Sequence, residues 1–319
     1  MKALITGITG FVGSYLLDEL LVRMDWKIWG AVRTAPLSPL VNNNSLKLVQ
    51  VDFQNEDDIL KCINEIKPHY IFHLAGQSNV RLSWEDKRQT FDINMMNALN
   101  LLEAIRKSDV ANTVRLLTIG SSEEYGFVKP ELLPINEETA LNPQNPYGIS
   151  KAAISMLVKQ YHKAYGLNVI HVRPFNHIGP GQKRGFVTSD FAYQVAAMEA
   201  GKMDQTFRVG NLVSKRDFLD VRDIVKAYLE LIMHGQGGEV YNVCLGEATS
   251  IQEILDFFVA EASVKINIET AAELIRPVDI PLYIGDNKKI FEATSWRPQY
   301  SLEKSLTDIL KHWRERIRE

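Results

Sequence analysis

Short apolar runs alternate along the chain with longer stretches whose apolar residues recur at helical spacing. The pattern predicts strands at residues 2–6, 27–32, 46–51, 70–74, 115–119 and 169–173, and helices at 13–23, 56–66, 90–107 and 146–165. Repeated strand–helix units of this kind build a doubly wound parallel α/β sheet of the Rossmann type. Repeats, low-complexity tracts and linker-like composition are missing from the sequence. A smaller α/β lobe is therefore expected from insertions and the tail, at about 177–220 and 245–319. It has strand signals near 207–209 and 265–268 and a closing helix at 302–318. The larger lobe should comprise 1–176 with about 220–245.

At 319 residues and 45% hydrophobic side chains, the chain can bury a large core. Its net charge of −3 provides no broad basic surface, which argues against nucleic acid or an anionic membrane as the main partner. Cys62 and Cys244 each lie inside an apolar run, so buried thiols of a reducing compartment are expected, with no disulfide framework and no metal site. Met1-Lys2-Ala3-Leu4-Ile5 runs directly into a glycine turn, and no uncharged stretch approaches the length of a membrane span. A cytoplasmic chain is the expectation.

The glycine turn is Thr6-Gly7-Ile8-Thr9-Gly10-Phe11-Val12-Gly13, at the first strand–helix junction. Missing β-carbons at this spacing allow a tight turn, let the backbone approach a pyrophosphate, and let helix pack on strand while the helix amides face the anion. Glycines alone could mark a plain turn; their position at the first junction makes the larger lobe a dinucleotide-binding domain. The second strand ends Ala31-Val32-Arg33, with no acidic residue to hold a ribose hydroxyl pair. Arg33 would tolerate a 2′-phosphate, so NADPH is the expected cofactor, with NADH also accepted. Asp52 and Phe53 after the third strand could hold the adenine, and Leu74-Ala75-Gly76 after the fourth would let the backbone pass close to the cofactor.

Tyr147-Gly148-Ile149-Ser150-Lys151 puts a phenol and an ammonium on one helical face. A nearby cation should lower the tyrosine pKa toward neutrality and make it a general acid or base for an alcohol/ketone pair. Gly120-Ser121-Ser122-Glu123-Glu124-Tyr125-Gly126 follows a buried strand at the carboxyl edge, where open α/β sheets bind ligands. A serine hydroxyl there can reach both a substrate oxygen and the tyrosine. On the substrate side, Arg173–Gln182 leaves a strand for a loop of amides, imidazole and glycine, and Arg216 and Arg276 suit bidentate phosphate recognition.

These motifs, in this order and over essentially the whole length, resemble the extended short-chain dehydrogenases/reductases. The resemblance rests on Gly7-x-x-Gly10-x-x-Gly13, Asn94, Ser121 and Tyr147-x-x-x-Lys151. It implies a proton-relay tetrad in which Asn94 supports a water, Ser121 orients a carbonyl, Tyr147 transfers the proton, and Lys151 tunes the tyrosine and holds the nicotinamide ribose. It also implies a homodimer formed by the helices carrying Asn94 and Tyr147. Within the nucleotide-sugar branch, Ile119–Gly126, Phe175–Gln182, Gly185–Thr188 and Val209–Phe218 most resemble the GDP-6-deoxy-D-mannose reductases. By that likeness Asn176, Arg216 and Arg276 would hold a diphosphate, Val187 the guanine and Asp279 the nucleoside ribose. Gln77, Ser122 and Glu123 would lie against the hexose. The implied reaction is reduction of a GDP-linked 4-keto-6-deoxy sugar to GDP-D-rhamnose.

Ser121-Ser122-Glu123 also resembles the Thr-Ser-Glu or Thr-Asp-Glu run of nucleotide-sugar 4,6-dehydratases, whose carboxylate removes the C5 proton. Against that stand Phe11-Val12 in place of Gln-Asp in the glycine turn, and Ile178-Gly179-Pro180 in place of Glu-Ser-Pro. A third reading, a non-catalytic cofactor-binding sensor or scaffold, leaves Tyr147 and Lys151 without a purpose.

Overall fold

Residue 5 and its neighbours bury both faces of the first strand, as a central parallel strand must. The computed structural model describes residues 1–34, 45–271 and 280–318. The chain opens β1 (Lys2–Thr6), α1 (Phe11–Arg23), β2 (Lys27–Val32), β3 (Leu46–Gln50), α2 (Glu56–Ile66) and β4 (Tyr70–His73). Asn55 caps α2 by accepting from the amides of Asp57 and Asp58, and three carboxylates in its first turn suit the helix dipole.

Two short helices follow, α3 (Val80–Glu85) and α4 (Lys87–Phe91), then a π-helical turn (Asp92–Met96), α5 (Asn97–Lys107), β5 (Arg115–Ile119) and a 3-10 turn (Ser122–Glu124). The helix expected over 90–107 is therefore interrupted by the π turn. α6 (Pro146–Tyr165) starts at the Asn145 cap with Pro146 in its first turn and ends at Gly166, whose φ of 68° only glycine adopts cheaply. After α6 come β6 (Asn168–Pro174), β7 (Asn176–Ile178), α7 (Val187–Glu199), β8 (Thr206–Val209), β9 (Lys215–Arg216), β10 (Phe218–Asp220), α8 (Val221–His234) and β11 (Val240–Val243). The chain closes with β12 (Thr249–Ser250), α9 (Ile251–Ala260), β13 (Asn267–Thr270), β14 (Leu282–Tyr283), α10 (Lys288–Ala293) and α11 (Leu302–Arg318).

Seven strands form one parallel sheet in the order β11-β6-β5-β4-β1-β2-β3. Strand order reverses between β1 and β4, so the carboxyl ends of these two strands open the crevice where doubly wound sheets hold ligands. One apolar core lies between the sheet, α1 and α8, and another between the sheet, α2, α5 and α6. A separate core joins α7, β8, α9 and α11, in which Phe191 meets Phe207 edge-on at 5.1 Å. Three small sheets accompany this third core: β7 with β10, β9 with β12 and β14, and β8 with β13.

Candidate active site

At the switch point the glycine turn is shaped by what its glycines lack. Gly7 has φ 70°, and a β-carbon there would press within 2.7 Å of the Ala75 amide nitrogen at the end of β4. A β-carbon on Gly13 would overlap the Gly7 carbonyl. Gly10 is the N-cap of α1, whose first residue, Phe11, lies two positions earlier than the helix start expected from sequence, and no side chain caps the helix. The first-turn amides of any helix lack intrahelical acceptors, and the first turn of α1 carries no acidic residue, so this end suits a pyrophosphate. Thr6 pins the two strand ends together: its Oγ1 accepts from Ala75 N at 3.0 Å and pairs with His73 Nδ1 at 3.0 Å.

Phe11 is half-buried and its ring stacks on His177 at 6.3 Å, nearly parallel, tying the start of α1 to β7. Arg33 is exposed immediately beyond β2. Asp52 is exposed and accepts from Gln54 N at 2.9 Å, while the half-buried Phe53 faces the His73 ring at 6.0 Å.

Ser121, Tyr147 and Lys151 come together at the carboxyl end of β5. All three are buried, and the Tyr147 hydroxyl is hydrogen-bonded to Ser121. Lys151 Nζ donates to the Ile119 carbonyl at 2.8 Å and lies 5.8 Å from the centre of the Tyr147 ring. Burial pulls the Lys151 ammonium down to about 8, with Glu124 opposing the shift. Burial raises the Tyr147 phenol above its ordinary range, the Ser121 hydrogen bond offsetting part of that and Glu123 and Glu124 adding to it. The expectation of a tyrosine lowered by its lysine is thus reversed in the protein alone, because desolvation of the phenolate outweighs a cation 5.8 Å from the ring.

Asn94 sits in the π turn, and such turns concentrate at functional sites. Its Oδ1 accepts from Gln77 N at 2.8 Å, and its Nδ2 donates to Gln77 O and Ser150 Oγ at 3.1 and 3.0 Å. Both amide hydrogens are therefore spent on protein groups that hold the Gly76–Gln77 backbone against α6. Gly76 itself has room for little else, since a β-carbon would lie 3.1 Å from Asn94 Oδ1.

Glu123, half-buried, accepts from Asn145 Nδ2 at 2.7 Å, and Ser122 O accepts from Tyr283 Oη at 2.6 Å. Asn176 is exposed on β7, and Val187 begins α7. Arg216 Nη1 donates to Ile280 O at 2.6 Å and to Lys215 O at 2.9 Å. Its neighbour Asp217 is buried and accepts from Leu245 N and Gly246 N at 2.8 and 2.9 Å; burial pushes its carboxyl up to about 6. Arg276 and Asp279 lie outside the described residues. Among the described residues no group of His, Cys, Asp or Glu could hold a metal ion, and no helix is long and apolar enough to cross a membrane.

The family model for GDP-mannose 4,6 dehydratase matches residues 4–309. The chain belongs to that family, within the extended short-chain dehydrogenases/reductases. A GDP-6-deoxy-D-mannose reductase from Pseudomonas aeruginosa is 35% identical across 100% of this chain and 99% of its own length. GDP-mannose 4,6 dehydratase 2 of Arabidopsis thaliana is 32% identical over 95% of this chain and 84% of its own. Among solved structures, RMD from Pseudomonas aeruginosa complexed with NADPH superposes with a TM-score of 0.85, at 34% identity and 99% coverage of both chains. As a member of this extended short-chain family the protein is an NAD(P)-dependent oxidoreductase-type enzyme, and the glycine cradle at its switch point fits such a cofactor.

Sequence reasoning passed over Glu124, Asn145, Asp217 and Tyr283. Ser121-x-x-Glu124 is nevertheless a legible capping-box signature, and both of its reciprocal bonds are present. Tyr283 carried no local signal, since only the fold brings β14 beside Ser122.

Proposed function

We propose that the protein reduces the C4 ketone of GDP-4-dehydro-6-deoxy-D-mannose with NADPH, yielding GDP-D-rhamnose. The observation that carries this reading is the buried Ser121–Tyr147–Lys151 cluster at the switch point, in a chain that matches a GDP-6-deoxy-D-mannose reductase end to end. When bound, the nicotinamide supplies a hydride to the sugar carbonyl carbon. Ser121 Oγ hydrogen-bonds the carbonyl oxygen, and Tyr147 Oη, protonated at neutral pH, gives its proton to the alkoxide that forms. Lys151 holds the nicotinamide ribose and stabilises the phenolate left behind. Asn94 fixes the Gly76–Gln77 backbone on which the cofactor rests.

Gly7, Thr9, Gly10, Phe11, Val12 and Gly13 cradle the pyrophosphate, Arg33 meets the 2′-phosphate, and Asp52, Phe53 and Leu74 to Gly76 frame the adenine and ribose side. NADPH in the similar RMD structure supports this choice. The larger lobe holds the cofactor. The lobe built on the third core holds the GDP portion through Asn176, Val187 and Arg216, with Arg276 and Asp279 as further candidates. Gln77, Ser122 and Glu123 face the hexose.

The working unit is a cytoplasmic homodimer paired through the helical segments that carry Asn94 and Tyr147; the exposed apolar side chains of Met96 in the π turn and of Ile149 and Met156 on α6 support that assembly. The test is to supply GDP-mannose and, separately, its 4-keto-6-deoxy derivative, following NADPH absorbance and product identity. Turnover of the keto sugar alone supports the reductase. Conversion of GDP-mannose to a keto sugar would assign the dehydratase reaction instead.

A further inference from the structure

Behind Ser121 lies a buried charged cluster that the proton relay does not itself use. Glu124 is fully buried. Its Oε1 accepts from Ser121 N at 2.9 Å and pairs with His171 Nε2 at 3.0 Å; its Oε2 accepts from Arg173 Nε at 2.7 Å. Arg173, also fully buried, continues outward: Nη1 donates to Tyr125 Oη at 3.0 Å, and Nη2 donates to Ser155 Oγ at 2.8 Å. His171 Nδ1 meets Thr118 Oγ1 at 2.9 Å, so its ring is held at both nitrogens. A β-carbon on Gly120 would overlap both the Glu124 carboxylate and the His171 ring, so the backbone is shaped around this pair.

The geometry of the far end matters most. Tyr147, Lys151 and Ser155 are spaced four residues apart on α6 and fall along one stripe of that helix. Arg173 thus grips the stripe that carries the proton donor, while Glu124 grips the turn that carries Ser121. A buried charge pair can cost as much in desolvation as it returns, and an apolar packing of the same volume would serve stability equally well. What a hydrophobic filler would not supply is directional bonding to both Ser121 and α6.

We propose that the Glu124–Arg173 pair is a positioning device that sets Ser121 against Tyr147 for proton transfer, with His171 and Ser155 as its outer members. It acts through Ser121 and α6 and touches no reacting atom. The proposal rests on the reductase reading given above, whose own failure would appear as wild-type protein that does not turn over the keto sugar.

Ser155→Ala is the decisive variant, because it removes one hydroxyl from the far end and leaves the charge pair intact. The expected result is a kcat about five- to tenfold lower, the scale of a small misplacement of reacting groups. KM for the keto sugar and NADPH affinity, read by nicotinamide fluorescence, should stay within about twofold, and Ser155→Thr should restore most of the loss. Unchanged kcat, or equal losses in kcat, KM and cofactor affinity, overturns the proposal.

Glu124→Gln adds a second readout. Lys151 faces Tyr147 on its own helix, Glu124 on the 3-10 turn, His73 on β4 and His171 on β6, and burial holds both imidazoles below their ordinary range. Removing the Glu124 charge should therefore move the alkaline limb of kcat/KM to lower pH, by about half a unit or more. An unmoved limb in folded Glu124→Gln counts against the proposal. Should that variant fail to fold, the Ser155 pair still decides.

Discussion

Asn145 holds Glu123 to the start of α6: its Nδ2 donates to Glu123 Oε2 at 2.7 Å while its Oδ1 accepts from Gly148 N at 2.8 Å. The carboxylate in question is the residue on which ketone reduction and dehydration part company. A dehydratase needs a base at C5, whereas a ketoreductase needs only hydride and one proton. Glu123→Gln keeps an acceptor for Asn145, so substantial NADPH-dependent reduction should survive, with a loss of about 1–2 kcal/mol felt mainly in KM. Steady-state kinetics on the keto sugar, with product analysis on GDP-mannose, checks this; a variant that loses all turnover alongside wild-type dehydration of GDP-mannose sinks it.

Tyr147→Phe removes the hydroxyl of the proposed proton donor while keeping the ring. Reduction should slow by roughly 10²–10⁴ with NADPH affinity near wild type, whereas Lys151→Met should harm both. Single-turnover absorbance at the nicotinamide band, paired with a fluorescence titration, separates the two effects.

The Lys151 value of about 8 carries a stability consequence. Its folded value lies below the ordinary 10.5, so the folded protein binds fewer protons than the unfolded chain between those values, and the contribution of this group to stability rises with pH across that window. Below about 8 the fold bears the cost of a buried ammonium. Lys151→Met should therefore raise the melting temperature at pH 7, and the gain should shrink toward pH 10. Thermal unfolding at both pH values tests it, and a lower melting temperature at pH 7 contradicts it.

Arg33 lies exposed just beyond the end of β2, where an acidic residue would favour NADH. Arg33→Asp should shift the preference toward NADH by about 1–2 kcal/mol, the scale of one charge-assisted contact. The ratio of kcat/KM for the two cofactors before and after the change measures it. An unaltered ratio makes the arginine a bystander.

Much of this molecule is written in local patterns. Alternating apolar runs placed β1, β2, β5, α2 and α6 within a residue or so, because strand and helix periods are set by hydrogen bonds spanning only a few residues. The glycine turn and the Tyr147–Lys151 stripe are equally local, which is why a tight turn at the first strand–helix junction and a phenol and ammonium on one helical face could be read directly from the chain. Tertiary structure decided the rest. Ser121-x-x-Glu124 is a local capping signature, but only the placement of β6 beside β5 puts Arg173 and His171 against that carboxylate, leaving Glu123 half-buried and Glu124 in the core. The sign of the Tyr147 shift was likewise beyond sequence reasoning, since the lysine spacing was legible and the depth of burial was not. Residues separated by nearly fifty positions meet because strands pair side by side, and desolvation depends on everything packed around a group, neither of which a local pattern encodes.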